Sequence, residues 1–209
     1  MRLFHLSDLH IGKRVNEFSM IEDQKYILER ILDLAEKEMP DGVILAGDIY
    51  DKQIPSAEAV QVFDEFITKL AERKFPVFVI SGNHDSAERL AFGGRLLNSR
   101  GIYLSPVYDG TVMKIPIADQ YGTVWIHLLP FIRPAAVRRV FEDESDLITD
   151  VQSAVRAVIS HMEIDPNERN ILVAHQFVTG ASRCESEDIQ VGGLDNIDAS
   201  VFEAFDYTA

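Results

Sequence analysis

The N-terminal part of the chain repeats one order: a short apolar run, a longer stretch with helical periodicity, then another short apolar run. The runs are Leu3 to Leu6, Val43 to Ala46 and Val77 to Ile80. Runs this short and this rich in Val, Ile and Leu fit strands buried on both faces. Between the first two, Ile21, Ile27, Leu28, Ile31, Leu32 and Ala35 recur at helical spacing. That helix is predicted to stop near Met39-Pro40, because proline cannot continue it. Between the second and third runs, Ser56 is the predicted N-cap of a helix presenting Val60, Phe63, Phe66, Ile67 and Leu70. A βαβαβ order implies parallel strands in a sheet covered by helices.

Past residue 100 the pattern changes. Ile102 to Leu104, Val112 to Ile117 and Thr123 to Leu129 read as strands, with turns at Asp109-Gly110 and Tyr121-Gly122. In the last of them Val124, Ile126 and Leu128 alternate with Trp125 and His127, as in a strand half-covered or apolar on both faces. A helix from about Asp146 to Met162 follows, entered through the solvated acidic turn Glu142-Asp143-Glu144, and then a buried run, Ile171 to Ala174. There is no internal repeat and no long linker. The expected class is α/β, a sandwich with mixed sheets and outer helices.

Composition narrows the class further. The 209 residues are 46% hydrophobic and 26% charged, enough for a substantial core and unlike a disordered chain. Twenty Lys and Arg against 34 Asp and Glu leave a formal charge of −14. That balance disfavours non-specific adhesion to nucleic acid or anionic membrane but leaves room for a local phosphate site. The single cysteine, Cys184, cannot form an intramolecular disulfide or a thiolate metal cluster, which points to a reducing compartment. No apolar run approaches the roughly 20 residues of a membrane span. No signal-peptide pattern precedes Ser7-Asp8 either, so a cytoplasmic protein is expected.

The chemistry lies just past the buried runs. Leu3 to Leu6 is followed by Ser7-Asp8-Leu9-His10, and Val43 to Ala46 by Gly47-Asp48. Val77 to Ile80 is followed by Ser81-Gly82-Asn83-His84-Asp85, and Ile171 to Ala174 by His175. Four strands thus deliver carboxylate, imidazole or amide groups beyond their C-terminal ends, the edge where open α/β sheets bind ligands. Asp, His and Asn donors suit Mn²⁺, Fe²⁺ or Zn²⁺ rather than a thiolate-seeking metal. Each piece alone is equally a turn or a helix cap; the ordered set of four is what singles them out.

In that order the residues resemble the motifs D-x-H, G-D-x-x-D, G-N-H-D/E and H of the calcineurin-like metallophosphoesterase superfamily. Here they read Asp8-Leu9-His10, Gly47-Asp48-Ile49-Tyr50-Asp51, Gly82-Asn83-His84-Asp85 and His175. Asn83 through Leu90, Leu129-Pro130-Phe131-Ile132-Arg133-Pro134, and Gly192-Gly193-Leu194-Asp195 through Tyr207 narrow the resemblance to the SbcD family of nuclease subunits. The resemblance implies an α/β/β/α sandwich and two divalent ions, expected to be Mn²⁺. Asp8, His10 and Asp48 would hold one ion, and Asp48, Asn83 and His175 the other, with Asp48 as the bridge. It implies that His84 acts on the substrate side and that Asp85 orients His84 or neighbouring backbone. Asp51 would be a supporting or capping group. Arg89 and Arg133 are the better candidates for DNA contact among arginines that include Arg95, Arg138 and Arg139.

The family continues past Phe205-Asp206-Tyr207 into a G-H-x-H motif with two more ligands, whereas this sequence stops at Ala209. Residues 1–209 are therefore expected to be an incomplete, C-terminally truncated metallophosphoesterase domain, without capping domain or partner-binding tail, and weak or inactive alone. The implied function is a DNA nuclease with double-strand exonuclease and single-strand endonuclease activity on ends and hairpins. Its implied partners are an SbcC-like ATPase, DNA and a second copy in a homodimer; no membrane is involved. Two other readings stay open: a phosphoesterase for small phosphodiesters, and a non-catalytic dimeric scaffold. Of the remaining histidines, His5 and His127 read as buried and hydrogen-bonded, and His161 as a helix C-terminal residue. Cys184, in a polar loop from Ser182 to Asp188, lacks a local base to make it a nucleophile.

Overall fold

The computed structural model describes residues 1–179 and 196–209. Cys184 with its polar loop, and Gly192-Gly193-Leu194-Asp195, lie outside the described residues. The chain opens with β1 (Leu3–Leu6), a two-stranded hairpin β2 (Arg14–Val15) and β3 (Phe18–Ser19), and helix α1 (Ile21–Glu38). Strand β4 (Gly42–Ala46), helix α2 (Ala57–Glu72) and strand β5 (Val77–Ile80) follow, then short helices α3 (Ala87–Leu90) and α4 (Gly94–Leu97) and strand β6 (Ile102–Leu104). The second half holds β7 (Met113–Asp119), β8 (Gly122–Leu128), α5 (Pro134–Val140), α6 (Val151–Ser160), β9 (Arg169–Val173) and β10 (Tyr207–Thr208).

Two four-stranded sheets result, in the orders β1-β4-β5-β6 and β10-β9-β8-β7. The first is parallel throughout; the second is mixed, because only β7 runs antiparallel to its neighbour β8. Side-chain alternation sorts the core into three layers. Val43, Leu45, Val77 and Val79 face Leu28, Leu32, Phe63, Phe66 and Leu70 of α1 and α2. Ile44, Ala46, Phe78 and Ile80 face the other way and meet Val124, Ile126, Leu128 and Val173 of the second sheet. Beyond that sheet, Leu172 packs with Val151, Val155, Val158 and Phe205. Buried on both faces, β4 and β5 must be apolar at every position, which is why they read as unbroken runs.

The helix ends follow their local chemistry. Met39 adopts left-handed backbone (φ 47°) and its N–H donates to the Ala35 carbonyl, closing α1 just before Pro40. The Ser56 hydroxyl accepts from the Ala59 N–H at 3.2 Å and opens α2. Helix α6 starts later than the spacing predicts. Asp150 accepts from the Ser153 N–H while the Ser153 hydroxyl receives the Asp150 N–H, a reciprocal cap that fixes the start at Val151. The acidic stretch Glu142–Leu147 forms a separate 3-10 turn.

Three side chains depart from expectation. Ile27 and Val60 are exposed rather than on the buried helix faces. His5 is exposed, because β1 is an edge strand, and its Nδ1 lies 3.0 Å from the Tyr207 hydroxyl. His127 is buried, with Nε2 3.0 Å from Asn170 Oδ1. His161 caps the C-terminus of α6 and its Nδ1 lies 2.8 Å from the Ala157 carbonyl.

Candidate metal centre

The loops leaving β1, β4, β5 and β9 meet at one end of the sandwich. Main-chain bonds lay the first two side by side: Asp8 N–H donates to Gly47 O, His10 N–H to Asp48 O and Ile11 N–H to Ile49 O, at 3.2, 2.9 and 2.9 Å. Asp85 ties in the third loop. Its buried carboxylate accepts from the backbone N–H groups of Gly82, Ile49 and Tyr50 at 2.9, 3.0 and 2.9 Å. Of the two places the sequence left open for Asp85, the carboxylate takes the backbone. The Phe131 N–H donates to the Ser81 carbonyl at 2.8 Å and joins this loop to the second sheet.

Two glycines make the approach possible. A Cβ on Gly82 would overlap both Asp48 Oδ1 and the Asp48 backbone nitrogen. A Cβ on Gly47, where φ is +91°, would lie 2.6 Å from the His175 ring. Asp8, His10 and Asp48 themselves hold left-handed backbone, with φ of 56°, 43° and 48°. Such conformations cost energy in non-glycine residues and gather where a site's geometry is over-determined by its surroundings.

Asp48 lies at the middle, 3% exposed. One oxygen, Oδ1, accepts the His84 backbone N–H at 2.9 Å. The other, Oδ2, is approached by three imidazole Nε2 atoms: His175 at 3.5 Å, His10 at 3.6 Å and His84 at 4.0 Å. Two of these rings are oriented by carbonyls, which can only accept. His175 Nδ1 donates to Ala46 O at 2.7 Å and His84 Nδ1 to Asp51 O at 3.1 Å. Each neutral ring therefore turns the lone pair of Nε2 inward, the orientation a metal ligand requires. The His10 Nδ1 atom is buried without a hydrogen bond, its nearest acidic oxygen being Asp51 Oδ1 at 3.8 Å. Asn83 Oδ1 stands 3.1 Å from His175 Nε2, and Asp8 Oδ1 is 3.8 Å from His10 Nε2.

Charge follows this geometry. Hydrogen bonding to His10 pulls the Asp8 carboxyl down to about 2 against the opposing cost of burial, with the Ser7 hydroxyl assisting. Burial pushes Asp48 up, but His175 and the backbone N–H of His84 bring it below the usual carboxylate range. Burial would lower His175, yet Asp48 carries it above its ordinary value. Asp85 is raised, because burial outweighs its three backbone bonds.

Two sets of three donors lie close enough to hold an ion: His10, Asp48 and His84, and Asp8, Asp48 and His175. Asp48 is common to both. Inward-facing imidazole lone pairs around a carboxylate repel one another unless a cation lies among them, so the donor set fits divalent metal. The five residues expected to share ions, Asp8, His10, Asp48, Asn83 and His175, are thus brought together. The contact geometry adds His84 to the group and pairs Asp8 with His175. Arg89 and Arg133 stay outside it, both exposed, with the Arg133 guanidinium over the Phe131 ring at 5.6 Å. Arg138 instead donates to the Ile148 carbonyl.

Sequence reading missed Gln24. From α1 it donates to the carbonyls of Leu9 and His10 and accepts the Gly12 N–H, clamping the loop that carries His10. Only a polar residue at the start of an apolar helical pattern marks it.

Comparison with known proteins agrees with this geometry. The profile of the family described as Calcineurin-like phosphoesterase matches residues 1–199. The chain is 35% identical over 211 residues to the SbcD subunit of the nuclease SbcCD of Staphylococcus epidermidis, covering 99% of this chain and 55% of that protein. It is 34% identical over 210 residues to the SbcD subunit of Staphylococcus saprophyticus, covering 99% and 54%. The chain thus spans about half the length of these curated relatives. With ordered motifs, sandwich fold and sequence match in agreement, the chain belongs to the calcineurin-like phosphoesterase family.

Proposed function

We propose that this chain is the metal-dependent phosphodiesterase part of an SbcD-type DNA nuclease. The reading is supported above all by the three imidazole nitrogens directed at one buried oxygen of Asp48. In it, Asp8, His10, Asp48, Asn83 and His175 hold two divalent ions, expected to be Mn²⁺, with Asp48 shared between them. When bound, such ions polarise a phosphodiester and supply a water of lowered pKa. His84, held through Nδ1 by the Asp51 carbonyl, presents Nε2 toward the substrate side and, when protonated, gives its proton to the departing oxygen. Asp85 is a positioning residue, since it fixes the backbone that carries Asn83 and His84. Arg89 and Arg133 are exposed and available to phosphate oxygens.

The relatives' name, a subunit of SbcCD, supports an SbcC-like ATPase as partner and DNA ends and hairpins as substrates for exonuclease and endonuclease cleavage. Homodimerisation is part of the same reading, and exposed Val60, Phe92 and Leu96 offer apolar surface for it. Each three-residue set falls short of the six donors of octahedral Mn²⁺. Metal binding and cleavage by these 209 residues are therefore expected to be weak. Calorimetric titration with Mn²⁺, alongside cleavage of a labelled oligonucleotide and of a small phosphodiester, tests the reading. Heat of binding with slow oligonucleotide cleavage, both lost in Asp48→Asn, is the expected result. Cleavage of the small diester alone would favour a small-phosphodiester enzyme, and no binding at all would favour a scaffold.

A further inference from the structure

A cavity of about 380 Å³ opens beside the metal centre, between the β2–β3 hairpin and the start of α2. Its size falls in the range of small-ligand pockets, about 300–1,000 Å³. Asp51 belongs to both places: it lines the cavity, and its Oδ1 is 3.8 Å from His10 Nδ1. Ile11 and Ile21, both buried, contribute apolar lining, and Ile54, 73% exposed, and Pro55 add to it. Arg14 and Lys52 supply the cationic groups.

The charges do not cancel within the cavity. Glu58, which also lines it, is engaged by Lys25 at 3.4 Å, and Asp51 faces His10. Arg14 donates to the neutral Glu17 carbonyl and meets the Glu17 carboxylate only at 4.0 Å, where that side chain is almost wholly exposed. Lys52 is exposed and follows directly on the residue whose carbonyl orients His84. Both cations thus ride on the two loops that carry His10 and Asp48. An apolar surface with cations beside a phosphodiester centre has the chemistry of a nucleotide: an apolar base and an anionic phosphate.

We infer that this cavity is a subsite for the nucleotide adjoining the scissile phosphodiester, its base against Ile11, Ile21 and Ile54 and its outer phosphate against Arg14 and Lys52. The inference rests on the nuclease reading and extends it along the strand. In a chain of formal charge −14, such contacts must be local, and they leave a signature in salt dependence. For single strands the slope of log K against log salt is about −0.7 per phosphate contact.

The test is fluorescence anisotropy of a labelled oligothymidylate in EDTA, so that no cleavage intervenes, across a range of KCl concentrations. Arg14→Ala and Lys52→Ala are each expected to bind several-fold more weakly and to flatten the slope by about 0.7. Lys37→Ala, at the far end of α1, removes the same charge and is expected to leave the slope in place. Ile54→Ser is expected to weaken binding of oligothymidylate but not of an abasic strand of equal length. Unchanged affinity and slope in both cation variants, or no binding by the unsubstituted chain, would overturn the subsite. Binding that depends on Arg14 and Lys52 without Mn²⁺-dependent cleavage would instead overturn the nuclease reading and leave the subsite standing.

Discussion

Asp48 works at the centre of the site because its two oxygens have separate duties. Oδ1 is occupied by the His84 N–H, which fixes the carboxylate plane, and Oδ2 is left to the three imidazoles. This arrangement depends on Gly82, where any side chain would overlap Asp48. Gly82→Ala is expected to displace Asp48 and abolish the calorimetric Mn²⁺ signal; circular dichroism on the same sample shows whether the fold persists. At this scale the sequence was most readable for groups that are polar, adjacent to buried runs and arranged in order. It was silent where a role depends on three dimensions. Nothing in the letters distinguishes an Asp85 that bonds three backbone amides from one that touches His84. Gln24, a helix residue whose amide clamps a distant loop, has no local signature either.

The elements that were legible are those whose burial repeats along the chain. Strands β4 and β5 are sealed on both faces, and α1 and α2 each keep one apolar side. The β2–β3 hairpin turns on Asn16 and Glu17, both with positive φ, rather than on an Asn-Gly pair, and its strands are exposed, so neither turn chemistry nor alternation announced it. Helix α5 begins with Pro134 at its first turn, a start signal too short-ranged to read alone. On β8, His127 shows how a polar residue is kept inside a strand. Asn170 spends its NH₂ on the carbonyls of Asp165 and Glu168, so its oxygen must accept from His127 Nε2. Burial lowers the His127 pKa in spite of that bond. The folded chain thus resists a proton that the unfolded chain accepts near pH 6.5, and the stability involved is complete above about pH 6.5 and lost as pH falls below it. Urea midpoints at about pH 8 and about pH 5.5 are expected to differ more for the parent chain than for His127→Gln.

Over the whole molecule, the candidate donors come from both layers: Asp8, His10, Asp48 and Asn83 follow strands of the first sheet, and His175 follows β9 of the second. An ion held among them would bind the folded sandwich and not the unfolded chain. At a concentration about 100 times its Kd it contributes about 2.7 kcal/mol. For a chain of this size that corresponds to a rise in Tm of roughly 5–10 °C. A thermal melt with Mn²⁺, reversed by EDTA, is expected to show the rise in the parent chain and not in His175→Ala. The same two-layer arrangement has a spectroscopic use. The 2.7 Å contact from His175 Nδ1 to the Ala46 carbonyl crosses from one layer to the other, so a single ring nitrogen reports any sliding between them. Its ¹⁵N resonance is a gauge of interlayer shear, readable with or without metal and with or without a protein partner attached.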